Sequence, residues 1–282
     1  VGCADFYLRL PRDGSVLVWV PPATFMLGQA ANNFRLYSPN ARTEHFEFPR
    51  REIEVTLTQG YFIGKFEVKV SQYRAYASET KTRLPSLYLN ALYVLPVGME
   101  AELETRHGEG VPFDPTGDHP MFSLTWNEAK RYCRWAGLRL PREAEWELAA
   151  RGTDGRAFPW GNVPPDTTGT NFLNWLNTND GEYYVAPVGR YPSGASPYGC
   201  MDMAGNVQEP VQDWIGAYPT GPLRDPTGPA KPGPVRKRVY RGGHYMILLP
   251  PGLHTAARWS RNPKSRGAGC GIRVALSHPK SE

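Results

Sequence analysis

Apolar and polar residues alternate with period two in several short runs of the amino-terminal quarter. Residues 16–21 form the first, and residues 24–28 follow after the break at Pro21-Pro22. Residues 52–57 (EIEVTL) and 61–68 (YFIGKFEV) repeat the pattern with β-rich composition, so four strands are expected here. Ser71 stands where a helix cap belongs, ahead of a helix over 72–78. The two strongest helices come later. Thr125-Trp126-Asn127-Glu128 is a capping-box pattern, and behind it Ala129, Tyr132, Cys133 and Ala136 share one face, which makes Cys133 core-facing. Gly137 ends that helix, and Pro141 opens the next. Glu143 and Glu145 lie near the positive end of its dipole, and the helix runs to about Ala150 before Gly152. After Gly161 the pattern breaks into turns and short strands, with 237–241, 255–259 and 271–276 as the strand candidates. Two helices followed by an irregular β-rich half describe one α+β domain.

Residues 80–118 depart from this rhythm. An apolar stretch from Leu84 to Met99 leads into an acidic patch at Glu100, Glu102 and Glu104, then a Gly/Pro-rich exit. A long aperiodic segment is either functional and partner-bound or a short helix packed on its own domain, and both readings stand.

Composition adds turns and subtracts partners. Gly 29 and Pro 28 suit many short connections, and 40% hydrophobic residues with eight Trp supply a core. The formal charge of +5 permits nucleic-acid binding, yet Lys and Arg are scattered and no recognition motif accompanies them, so no nucleic-acid partner is expected. No apolar run is long enough to span a bilayer. Val1-Gly2-Cys3 resembles the end of a bacterial lipobox. It implies an N-terminal extension, residues 1–15, whose only membrane link is a lipid on Cys3, and a bacterial extracytoplasmic location, periplasmic or outer-membrane-associated. An ordinary cysteine is the alternative. Cys3, Cys133, Cys200 and Cys270 show no CxxC spacing, which points away from zinc and redox motifs.

Several segments in fixed order carry a resemblance. They are Met26-Leu27-Gly28, residues 122–126, 139–152 (RLPREAEWELAARG), 158–162 (FPWGN), 186–189 (APVG), 202–209 (DMAGNVQE), and Arg238-Val239-Tyr240-Arg241-Gly242-Gly243 leading to Gly271-Ile272-Arg273-Val274. Together they resemble the formylglycine-generating-enzyme, or sulfatase-modifying-factor, family across residues 16–278, with 80–118 as an insertion. The resemblance implies an irregular α+β fold related to C-type lectins. It also implies structural calcium. Asn171 and Asp180, with the carbonyls of Phe172 and Glu182, would form one site; Asp202 and Glu209, with the carbonyls of Gly205 and Val207, would form a second. Mixed carboxylate and carbonyl shells suit calcium.

The same resemblance exposes a loss. The family's oxidising members place two cysteines soon after Arg-Gly-Gly-Ser and act through copper, whereas residues 241–252 read RGGHYMILLPPG. Cu(I) needs soft ligands, and Met246 cannot replace a dithiolate, so no copper is expected. Gln208 and Pro210 also stand where the family carries aromatic residues, and His244 where it carries Ser. These departures imply a pseudoenzyme: an exported binding or assembly subunit of a protein complex, contacting protein partners through Leu84 to Met99 and through the apolar run from Tyr245 to Leu249. That run is an interaction patch if exposed and a buried strand if not. The alternative is an oxidoreductase of the pyoverdine-maturation branch acting on a peptide or small molecule, for which His244, Tyr245 and His254 are the candidate catalytic residues.

Overall fold

The computed structural model describes residues 7–29, 46–47, 51–85, 115–165, 171–175, 182, 184–247 and 250–278. Cys3, Asp180, Leu248, Leu249 and all of the Leu84 to Met99 stretch beyond Pro85 lie outside them.

Eleven strands and three helices are described. In chain order they are β1 (Tyr7–Arg9), β2 (Val16–Val20), β3 (Ala23–Leu27), β4 (Phe46–Glu47), β5 (Ile53–Leu57), β6 (Tyr61–Gly64), α1 (Val70–Thr80), α2 (Trp126–Trp135), α3 (Glu143–Arg151), β7 (Glu209–Trp214), β8 (Leu223–Arg224), β9 (Arg238–Arg241), β10 (Arg258–Arg261) and β11 (Ala275–Ser277). They make three small sheets, ordered β1-β2-β6-β11, β4-β10-β9-β7 and β3-β5-β8. All pairs are antiparallel except β5 with β8. This is the α+β architecture that the periodicity implies.

Each helix start has a local cause. Thr125 and Glu128 form the reciprocal box: the Thr125 N–H donates to Glu128 Oε2 at 2.8 Å, and the Glu128 N–H to Thr125 Oγ1 at 3.2 Å. Trp126, Ala129, Tyr132 and Cys133 are the buried face of α2. Helix α1 begins one residue before Ser71, with Lys69 as its cap, because Gln72 Oε1 accepts the Lys69 N–H at 2.7 Å. Ser71 supplies no cap. Tyr73 and Tyr76 of α1 meet Tyr132 and Trp135 of α2, with Tyr73 stacked on Tyr132 at 5.6 Å. The Tyr132 hydroxyl donates to Asp13 Oδ2 at 2.8 Å, tying this aromatic cluster to the β1–β2 turn.

Helix α3 is the centre of the molecule, and all nine of its residues are buried. Glu143 and Glu145 are therefore more than dipole partners. Glu145 receives both terminal nitrogens of Arg139, at 2.6 and 2.8 Å. Glu143 receives Nε and Nη2 of Arg258, at 2.7 and 3.0 Å. Glu147, fully buried, accepts the Gly28 N–H and Arg151 Nη1, each at 2.7 Å, while its second oxygen accepts Arg241 Nη2. A charged helix can occupy a core only when every charge is paired in this way.

The strand expectations hold in place but not in length. Residues 65–68 leave the sheet after Gly64, and the last two strands start at Arg258 and Ala275. Strand β7 contains Pro210, which sits opposite Tyr240 beside a register shift, so proline is tolerated at an irregularity in the ladder.

Candidate functional site

Strand β9 delivers Arg241 to the core and hands the chain to Gly242 and Gly243, with φ of 87° and 71°. A Cβ on Gly243 would sit 2.9 Å from the Gly252 carbonyl, so the loop closes on itself only because glycine is there. His244 follows, half-buried, its ring 6.0 Å from Trp259. His244 Nδ1 accepts the Met246 N–H at 3.2 Å. Gln208 and Cys270 are bridged from neighbouring segments. Gln208 is fully buried, and its Oε1 accepts from Arg261 Nη2 at 3.4 Å and lies 3.8 Å from Cys270 Sγ. Gln208 Nε2 is buried without a hydrogen-bond partner.

Of the three candidate catalytic residues, His244 and Tyr245 meet edge to face at 5.9 Å, while His254 packs elsewhere, against Phe158. Tyr245 is buried with Phe122, Val185 and Val207, and its backbone N–H donates to the Asn206 carbonyl at 2.9 Å. Burial pushes its hydroxyl well above the usual range. His254 is buried against Phe158, 5.9 Å between rings. Burial first, then Arg151 and Arg241, pull its pKa down to about 3, so it is neutral at any ordinary pH. Cys270 is a buried thiol raised to about 11, again by burial. None of these groups is a thiolate or a poised base at neutral pH. In the apolar run after Gly243, Tyr245 and Ile247 are buried and Met246 is half-buried.

The residues proposed for the second calcium site do come together, in company that the sequence reading missed. Arg273, fully buried, grips Glu209 through Nε to Oε2 at 2.8 Å and Nη2 to Oε1 at 2.7 Å. Trp146 Nε1 also donates to Glu209 Oε2, at 2.5 Å. Both oxygens of Glu209 are thus engaged. Asp202, in the left-handed region at φ 60°, accepts the Gly189 N–H on Oδ2 at 2.7 Å. Glu67 is the addition: it is buried and accepts Asn206 Nδ2 at 2.6 Å and the Val207 N–H at 3.1 Å. Burial, then Asp202 and Glu209, raise the Glu67 carboxyl well above the usual carboxylate range. Burial likewise raises Asp202 to about 6, against the Gly189 N–H and Arg273. Three buried carboxylates therefore face one guanidinium, and protons or a cation must supply the balance. The donor set fits calcium in part. Asp202 Oδ1 has no hydrogen-bond partner among the described residues, whereas Glu209 would have to share an oxygen with Arg273 or Trp146. Among the described residues no three His, Cys, Asp or Glu side chains converge at metal-binding distance. Only the spacing from the β6–α1 turn could have drawn Glu67 in, and that turn read as strand.

Of the first proposed calcium site, Asn171 is exposed and Phe172 stacks on Trp160 at 4.8 Å. Glu182 pairs with Arg190 at 3.1 Å, and Asp180 lies outside the described residues.

Residues 9–278 match the model of the sulfatase-modifying factor enzyme 1-like domain. The formylglycine-generating enzyme of Streptomyces coelicolor is 40% identical over 185 residues, covering 60% of this chain and 57% of that enzyme. The formylglycine-generating enzyme of Thermomonospora curvata is 36% identical, covering 96% and 97%. The inactive C-alpha-formylglycine-generating enzyme 2 of Bos taurus is 41% identical, covering 72% of each chain. Among solved structures, PvdO from Pseudomonas aeruginosa superposes with a TM-score of 0.74 at 22% identity, covering 99% of this chain and all of that one. Treponema denticola variable protein 1 follows at 0.69 and 20%, covering 98% and 100%.

Proposed function

The chain belongs to the sulfatase-modifying factor enzyme 1-like family, and on that premise we propose that it makes no formylglycine and serves as an extracytoplasmic binding or assembly subunit. One observation carries the reading. The loop after Arg241-Gly242-Gly243 holds no thiol through Gly252, and the thiol that packs nearby, Cys270, is buried and protonated. The chemistry needs a thiolate pair to hold soft copper and attack. A frame with paired internal charges can persist while such a site drifts. The bovine relative described as inactive supports the same direction. The extracytoplasmic address rests on the lipobox-like Val1-Gly2-Cys3.

Incubation with a Cys-Thr-Pro-Ser-Arg peptide, oxygen and copper should leave the cysteine intact by mass spectrometry. Appearance of the aldehyde overturns the reading. Isolation under mild conditions should return a stable complex with contacts mapping to Leu84 to Met99; a monomer with no partner counts against the subunit role.

Structural calcium belongs to the same proposal, with Asp202 and the carbonyls of Gly205 and Val207 as the ligands that remain open. What supports it is the surplus of buried carboxylate around Arg273. A chelator should lower the melting temperature and added calcium restore it, since a ligand of the native state stabilises by mass action. An unchanged melt, with no metal by elemental analysis, assigns the balance to protons on Glu67 and Asp202 instead.

A second reading, an oxidoreductase of the pyoverdine-maturation type, is favoured by the half-buried His244 beside Trp259 and the unsatisfied amide of Gln208. It predicts turnover of a thiol or tyrosine-containing substrate that is lost in His244→Ala.

A further inference from the structure

Away from His244, a cavity of about 700 Å³ opens between α2, the turn at 138–140, β7 and the start of β9. That volume falls in the range of small-molecule sites. Its wall carries Lys130, Arg134, Arg139 and Arg238 and, among the described residues, no carboxylate. Among the described residues one of these four cations is neutralised by a carboxylate it bonds: Arg139 is gripped by Glu145. Lys130 and Arg134 stand one turn apart on α2, both exposed, without an ion pair among the described residues. Like charges at that spacing weaken a helix, a cost that the last-turn position of Arg134 and the Lys130 contact on the Trp126 ring at 5.1 Å offset only in part.

Arg238 differs from an ordinary surface cation. Its guanidinium lies 4.1 Å from the centre of the Trp126 ring and 3.4 Å from that of Trp214, sandwiched between the two. Nη1 donates to the Gln212 carbonyl, and Nε is buried without a hydrogen-bond partner. The nearest negative influence on it is Asp213, whose carboxylate is already receiving the Glu143 N–H. Stacking thus fixes one guanidinium at the cavity wall before any ligand arrives, which removes an ordering cost from binding.

A stacked guanidinium and two exposed cations around one concave space match an anion carrying two charges on a compact, fork-accepting group. We propose that this cavity binds a small organic phosphomonoester, with the phosphate held by Lys130, Arg134 and Arg238 and the organic part against Trp214. The solvated-face alternative accounts for Lys130 and Arg134. It does not account for the cavity or the double stack.

The test uses the full chain and phenyl phosphate, read by calorimetry and by tryptophan fluorescence, with inorganic phosphate and benzoate as comparison probes. Phenyl phosphate should bind saturably and more tightly than either. The double variant Lys130→Gln/Arg134→Gln should bind it at least about tenfold more weakly, the loss expected for charge-assisted hydrogen bonds. Its unfolding midpoint should stay within a few degrees of wild type, because both side chains are exposed and lose only the Lys130 contact on the Trp126 ring, 5.1 Å from its centre, and one last-turn charge. Lys264→Gln, an exposed change outside the cavity, should leave binding as it was. Absence of saturable binding at millimolar phenyl phosphate overturns the proposal, as does equal affinity in the double variant. Benzoate binding as tightly would make the site a monoanion site, and free phosphate binding as tightly would remove the organic part; either result refutes the phosphomonoester assignment.

Discussion

Replacing Glu147 with Gln is the sharpest test of how this core is held. The carboxylate is fully buried and accepts three charged or backbone donors: the Gly28 N–H, Arg151 Nη1 and Arg241 Nη2. Glutamine keeps the volume but removes the charge, and it turns one acceptor into an NH₂ that must face a guanidinium. Arg151 and Arg241 are themselves almost wholly buried, so water cannot replace the lost partner. Arg241 retains Glu143 at 3.2 Å, whereas Arg151 keeps only carbonyl oxygens. Leaving buried charge uncompensated costs about 3–5 kcal/mol. A domain stable by about 5–15 kcal/mol would lose a large share of that. At about 2–4 °C per kcal/mol, the melting midpoint should fall by roughly 6–20 °C. The assay is urea and thermal unfolding of Glu147→Gln beside Glu79→Gln, which removes the exposed pair to Arg12 and should leave the midpoint within scatter. A loss below about 1 kcal/mol for Glu147→Gln would refute the claim that these charges are mutually dependent.

Three further expectations concern titratable groups. Asp202 is raised to about 6 in the fold, so between about pH 4 and 6 the native state holds a proton that the unfolded chain has released. In chelator, stability should therefore fall as pH rises through that window. Asp202→Asn should flatten the slope, leaving a residue from Glu67, raised well above the carboxylate range, and Asp213, raised to about 7, both of the same sign; identical slopes refute this. His254 has the opposite sign: depressed to about 3, it stays neutral while the unfolded chain takes up a proton below about 6.5. Stability should be lost as pH falls from 6.5, and a folded His254→Asn that shows no relief from acid would count against it. Cys270 should resist alkylation in the native state at pH 8 and react after denaturation; fast native labelling, mapped by mass spectrometry, would show an accessible thiolate.

Local signals were legible and long-range ones were not. The Thr125 box and the buried face through Cys133 are written within one helix, and the structure shows both. The burial of α3 is not written there. Residues 143–151 read as a charged helix near a dipole; Arg139 and Arg151 pair Glu145 and Glu147 locally, but Arg241 and Arg258, about a hundred residues downstream, complete the burial of Glu143 and Glu147. Strand β7 was hidden by Pro210, and the helix expected over 72–78 starts two residues earlier because its cap uses a backbone N–H and Gln72 rather than Ser71. At the site, the motif order set Asp202 and Glu209 in one segment, and the structure leaves their carboxyls close enough to act on each other. The motif order gave no hint of Arg273 holding Glu209, or of Glu67 as the third carboxylate, because both contacts join segments that share no pattern. The cavity at Arg238 was invisible for the same reason.

Helix α3 also sets the order in which the molecule can be assembled. Glu147 reaches back 119 residues to Gly28 and forward 94 to Arg241, and Glu143 reaches forward 115 to Arg258. During synthesis from the amino end, the helix emerges long before the arginines that neutralise it. Until then its glutamates are better served by water than by the apolar strands waiting beside them. Closure of the core is therefore deferred until Arg258 has emerged, a high-contact-order folding step that a chain cut before Arg258 would never complete.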